Sequence, residues 1–141
     1  MIADGVTLTK DNEGYREAIY LDSLGHPTCG YGICLDPVGV YQSVKEYHER
    51  RFAEEYGKAE AEYGKLQFDL DGVRRAAVVD LLYNLGAFKF YKFRNFSVAL
   101  RMKDWELAAQ HLENSLWFKQ VGRRGPRICA LIRSGQWEAM A

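Results

Sequence analysis

Glu13, Asp22 and Thr28 fall within one stretch, EGYREAIYLDSLGHPTCGYG (residues 13–32), and their types and spacing suit acid–base chemistry. The two carboxylates stand nine positions apart, and the hydroxyl follows six positions later. Cleavage of a glycosidic bond needs one carboxylic acid to protonate the leaving oxygen and a second carboxylate across the sugar ring. A separation of about 6.5–9.5 Å admits an attacking water, whereas about 5 Å makes the second group a nucleophile. A threonine hydroxyl beside the second carboxylate both donates and accepts, and so can hold that water. The same three residues also fit a solvated face with a turn aspartate, and spacing alone leaves both readings open.

The local pattern predicts how these residues are positioned. Residues before Glu13 suit a short helix that Gly14 stops. Arg16 to Leu21 reads as an extended run with apolar bulk at Ala18, Ile19, Tyr20 and Leu21. Asp22-Ser-Leu-Gly25 is a turn sequence, and Pro27 to Ile33 returns as the second strand of a hairpin. Gly14, Gly25, Gly30 and Gly32 allow the sharp backbone turns that such a layout needs. The acid then lies at a helix end, Asp22 at a strand end and Thr28 on the returning strand, an arrangement in which all three can face one cleft.

At 141 residues and 48% hydrophobic content, the chain has enough apolar bulk for one domain or for two small lobes sharing a core. No apolar run reaches the length of a membrane span. The first residues, MIADGVTLTKDNE, carry acids where an export leader needs bases, which predicts synthesis in a cytoplasm without export by the general route. Three cysteines, Cys29, Cys34 and Cys129, make no paired framework and read as small buried thiols. His26, His48 and His111 are scattered and read as surface imidazoles, not zinc ligands. Net charge is zero, yet residues 1–72 hold 7 basic against 14 acidic side chains and residues 73–141 hold 12 against 5. The basic half is suited to an anionic polymer such as cell wall or nucleic acid; two oppositely charged faces serving solubility is the plainer alternative.

The rest of the chain reads as helices. After a loop at 38–42, Ser43 with Glu46 forms a capping box for a long helix to about Tyr63, with an apolar stripe of Val44, Tyr47, Phe52, Tyr56 and Tyr63. Asp71 precedes VRRAAVVDLLYNLG, apolar nearly all round and stopped by Gly86. The aromatics among bases in AFKFYKFRNF (87–96) allow single-stranded nucleic acid binding, but closing a helical core ranks above it. Asp104 caps a helix whose buried side is Trp105, Leu107, Ala108 and Leu112. Trp117 and Phe118 lie on a short turn, and a last helix begins near Pro126 and ends at Gly135.

Glu13-Gly14-Tyr15, Ile19-Tyr20-Leu21-Asp22, Gly25, Thr28 and Gly30-Tyr31-Gly32 together resemble the catalytic segment of the phage-type lysozymes, the small muramidases of tailed bacteriophages. That family's motif is Glu, eight residues, Asp, five residues, Thr, then Gly-x-Gly, and it is matched here without a gap. Tyr83-Asn84-Leu85-Gly86 and the run from Trp117 to Gly135-Gln-Trp137 continue the likeness over roughly residues 6–138. The resemblance implies an α+β, mostly α fold: a small β-hairpin lobe (about 14–36), a long connecting helix (about 43–64) and a helical lobe (about 69–141) with the N-terminal helix packed on it.

The resemblance further implies an inverting muramidase acting between N-acetylmuramic acid and N-acetylglucosamine, with Glu13 as general acid and Asp22 and Thr28 positioning water. Gly32, Tyr83 and Asn84 are implied as substrate contacts, with Tyr83 as core and Asn84 as a helix C-cap the equal alternative. Arg124 is implied to pair with Glu13, which by itself lowers the acid's pKa; the expectation is that bound sugar excludes water and raises it. No metal or organic cofactor is implied. The implied partner is the peptidoglycan glycan strand, met by a monomer from the host bacterial cytoplasm at lysis, without nucleic acid or stable membrane insertion; release through a holin pore is left open. A lytic transglycosylase, a non-catalytic wall-binding module and a nucleic-acid binder stay as alternatives.

Overall fold

A computed structural model describes the backbone of residues 1–21, 27–34 and 45–140, and their side chains apart from 17–21, 27, 33–34 and 45–46. The turn expected at 22–25, the loop at 38–42 and the capping box of Ser43 with Glu46 lie outside the described residues.

Helix α1 (Gly5–Glu13) starts where the Asp4 side chain accepts from the Thr7 amide at 2.8 Å. It stops at Gly14, whose φ of 72° is open to glycine at little cost. Glu13 is therefore the last helical residue, and its side chain is aimed by a rigid element. Strand β1 (Arg16–Leu21) pairs antiparallel with β2 (Pro27–Gly30), bringing Tyr20 opposite Thr28. The returning strand is shorter than the sequence suggested. Positive φ at Gly30 and Gly32 turns the chain at Tyr31–Gly32, and Ile33–Cys34 comes back as a third strand, β3. The sheet order is β1-β2-β3.

The long helix α2 (Lys45–Leu66) buries Phe52, Tyr56, Ala59 and Tyr63 at the helical spacing expected of its apolar stripe. It packs on α3 (Gly72–Leu85), which also receives α1 and the last helix, α8 (Arg124–Ser134). Helix α3 is capped by Asp71, accepting from the Arg74 amide, and closed by Gly86. Residues Ala76 to Leu82 are all buried, so this helix is the axis of the helical core. The aromatic–basic segment folds as α4 (Ala87–Phe90) and α5 (Arg94–Arg101), with Phe90 and Phe96 in the core and Phe88 in solvent.

Helix α6 (Trp105–Glu113) is capped by Asp104 and lies against α8. Its buried side differs from expectation at one position: Leu107 is exposed and Ala109 is buried in its place beside Ala108 and Leu112. Trp117 and Phe118 belong to a short helix, α7 (Leu116–Gln120), started by the Ser115 hydroxyl. The charge asymmetry along the chain largely folds onto itself. Arg123 and Arg127 meet Asp11, Arg124 meets Glu13, Arg75 meets Glu60 and Lys103 meets Asp69. No described helix is long and apolar enough to cross a membrane.

The C-terminus of α8 is held by Arg74, whose Nε and Nη2 donate to the carbonyls of Ile132 and Arg133 at 2.7 and 3.0 Å while its guanidinium stacks on Trp105. Helix ends leave carbonyls without intrahelical donors, and a charged donor there stabilises strongly. Replacing Arg74 with Met keeps the stem but removes the donors. It should cost about 1–3 kcal/mol in urea unfolding; an unchanged midpoint would show that the cap contributes nothing.

Candidate active site

Three helices converge on Arg124. The residue opens α8, and its side chain is buried with 7% exposure. Its Nη2 lies 3.0 Å from Glu13 Oε1, at the end of α1. Its Nε and Nη2 donate to the Asp80 carboxylate in the middle of α3, at 2.9 and 3.3 Å. Asp80 is fully buried and also accepts from the Thr9 hydroxyl at 2.6 Å and the Asn12 amide at 3.2 Å. A buried charge is tolerated only when it is paired and hydrogen-bonded, and this one has donors from α1 and α8.

Glu13 is 15% exposed at its side chain. Burial pushes its carboxyl above the ordinary carboxylate range; the Arg124 guanidinium opposes this, and the nearby Asp80 charge adds to it. The sequence reading gave the guanidinium the upper hand until sugar binds. Desolvation outweighs it without any sugar, because the helix end is already packed against the Tyr31–Gly32 turn. At Gly32 a Cβ would press into Glu13 Oε2, so the turn approaches the acid as closely as backbone allows.

A cavity of about 400 Å³ opens beside this turn. Gly32 and Tyr83 form part of its wall, and Arg51, Glu55, Lys58 and Glu62 line it from one face of α2. That volume is within the usual range for a small-molecule site. Tyr83 is half-buried: its ring packs on Phe52 and Tyr56, and its hydroxyl donates to the Tyr31 carbonyl at 3.2 Å. Burial pushes its phenol well up, so it stays a neutral donor. Asn84 is exposed, and its Oδ1 accepts from the Trp117 indole at 2.8 Å, tying α7 to the end of α3. Gly86, not Asn84, closes α3.

Thr28 is buried on β2, paired with Tyr20 and Cys34. Asp22 lies outside the described residues, so its separation from Glu13 is not defined. His48 is not a surface imidazole: it is 1% exposed, edge-on to Tyr15 and Tyr47 and 3.9 Å from the Cys29 sulfur. The described thiols are buried and raised in pKa, Cys129 to about 12, which leaves them unreactive. Asp80 is the residue that pattern reading missed. Its signal was present: one acid inside VVDLL, on a helix apolar nearly all round, has to find a buried partner.

The small sheet, the long α2 and the helical core define a lysozyme-like fold class. A family model described as phage lysozyme matches residues 10–137, and the chain belongs to that family, a family of glycoside hydrolases. Among curated relatives, the pre-baseplate central spike protein Gp5 of Enterobacteria phage T4 is 22% identical over 94% of this chain and 28% of its own length. Two probable T4-type lysozymes of Dictyostelium discoideum are 27% and 30% identical over 50% and 48% of the chain and 42% and 39% of their own lengths. The chain thus spans less than half the length of each of these relatives.

The raised value at Glu13 has a consequence for stability. The native state binds this proton more tightly than the unfolded chain does. The associated stability is present below the unfolded carboxylate value and is lost as pH rises through the raised folded value. Glu13→Gln escapes that loss. Thermal melts from about pH 4 to about pH 8 should show the variant gaining on wild type as pH rises and then levelling. A gap that does not change with pH would contradict the dominance of burial at Glu13.

Proposed function

We propose that this chain hydrolyses the β-1,4 bond between N-acetylmuramic acid and N-acetylglucosamine in bacterial peptidoglycan. The observation that carries the reading is a glutamic acid with raised pKa, fixed at a helix end beside a groove, in a chain of the phage lysozyme family. A general acid must hold its proton near the working pH, and desolvation is the usual means.

In this scheme Glu13 gives its proton to the bridging oxygen as the carbon–oxygen bond to the leaving sugar breaks. A water held by Asp22 and Thr28 attacks the anomeric carbon from the opposite face, and Asp22 takes the proton it releases. The product is inverted at that carbon. Arg124 holds Glu13 in place. Tyr83 and Gly32 form part of the wall along which the glycan lies; Asn84 is assigned a sugar contact through its amide nitrogen, its oxygen being engaged by Trp117. No metal or organic cofactor enters the scheme. The protein acts as a monomer on the glycan strand, as one lysozyme-like domain, without nucleic acid as partner. The pairing of Arg123, Arg124 and Arg127 with Asp11 and Glu13 disfavours a nucleic-acid surface.

An endolysin made in the host cytoplasm and released at lysis, through a holin pore, is the first biological reading. Similarity to a phage spike protein over 94% of this chain favours a second, wall cleavage by a particle-borne protein at entry. Mass spectrometry of purified particles separates them, since only the second places the chain in the virion.

Loss of turbidity of a peptidoglycan suspension tests the chemistry. Glu13→Gln and Asp22→Asn should each lower the rate by about a hundredfold or more, with circular dichroism unchanged. Products should carry a reducing sugar, one water heavier than the anhydro product of a transglycosylase. Lysis that survives Glu13→Gln would overturn Glu13 as the acid, whereas wall binding by the wild type without any lysis would leave only a non-catalytic wall-binding role.

A further inference from the structure

We propose that Asp80 is a positioning residue of the active site: it takes up the charge of Arg124 and so leaves the working proton on Glu13. The inference rests on the reading of Glu13 as general acid. Two carboxyl groups share one buried guanidinium, and they are not equivalent. Among the described residues, Asp80 receives four donor contacts: Thr9 Oγ1 at 2.6 Å, Asn12 Nδ2 at 3.2 Å, and Arg124 Nε and Nη2 at 2.9 and 3.3 Å. Among the described residues, Glu13 receives one such donor, Arg124 Nη2 at 3.0 Å.

Donors favour the charged form of the group they point at, and desolvation favours the neutral form. One negative and one positive charge make a neutral buried set; two negatives would leave an uncompensated charge in the core. The excess proton therefore belongs on the carboxyl group with fewer donors and with a side facing the Gly32 turn, and that is Glu13. Arg124 alone would pull Glu13 toward the ionised form. With Asp80 across it, the same guanidinium orients the acid without discharging it.

Other charges nearby are turned elsewhere. Arg127 of α8 donates to Asp11 and Asn12, and Lys10 of α1 is engaged by Glu49 of α2. Tyr83 of α3 faces Glu13 as a neutral phenol. Among the described residues, the charges that bear on Glu13 are Arg124 and Asp80.

Carbon-13 NMR of side-chain carboxyl groups tests this without any assay of activity, with Glu13 assigned through Glu13→Gln. In the wild type, the Glu13 carbon should titrate above the ordinary carboxylate range. A Glu13 carbon that titrates in the ordinary range overturns the proposal even if no Asp80 variant folds. In Asp80→Asn, which keeps an acceptor for Thr9 and Arg124, Glu13 should titrate at least one unit lower, and Asp80→Glu should restore most of the shift. The alkaline limb of kcat/KM on peptidoglycan should move by the same amount, about a tenfold loss at a pH above it. A folded Asp80→Asn protein with an unmoved Glu13 titration refutes the idea, leaving Asp80 a merely structural anchor. A Glu13 that titrates as expected in a protein without lytic activity would instead count against the muramidase reading alone.

Discussion

A single guanidinium, that of Arg124, is the constraint around which the rest is arranged. It is 7% exposed and lies between a fully buried aspartate and a nearly buried glutamate. An arginine cannot shed its charge by losing a proton, so the only way to keep it out of water is to surround it with acceptors. Those acceptors come from two different helices. Helices α1, α3 and α8 are therefore locked in mutual register by one side chain, and the register also fixes where Glu13 ends up. Hydrophobic burial supplies most of the driving force for the core, but it is indifferent to direction; the ion network specifies the angle and the depth.

The burial that makes the network expensive also makes it useful. Taken out of water, a carboxyl group keeps its proton to higher pH, and a general acid needs that property. The sheet contributes by bringing backbone, in the form of the Tyr31–Gly32 turn, against the acid. Tyr83 closes the loop between the halves, since its hydroxyl holds the Tyr31 carbonyl while its ring rests on α2 aromatics.

Much of the architecture was legible in the residues. The cap at Asp104, the aspartate that precedes α3, stops at Gly14, Gly86 and Gly135, and the apolar face of α2 are local signals, and local signals survive folding. The misreadings have two causes, a local backbone turn in one case and contacts distant in sequence in the others. The break in the returning strand follows from positive φ at Gly30 and Gly32, which permits a turn that strand propensity does not foresee. Leu107 stays in solvent although its type predicts burial, because the face of α6 that meets α8 is set by Ala108, Ala109 and Leu112. His48 is enclosed by Tyr15, Tyr47 and Cys29, residues that no short window unites. For Asp80 the need for a buried partner was readable in VVDLL, but not the partners themselves, which lie 71, 68 and 44 positions away.

At Gly32 the surface beside the acid is bare main chain, with no side chain that substitution can exchange. The part of the groove wall on α2 is different: Arg51, Glu55, Lys58 and Glu62 stand on successive turns of that helix. Side chains can be exchanged there without disturbing the fold of the backbone, whereas at Gly32 any added Cβ would collide with Glu13.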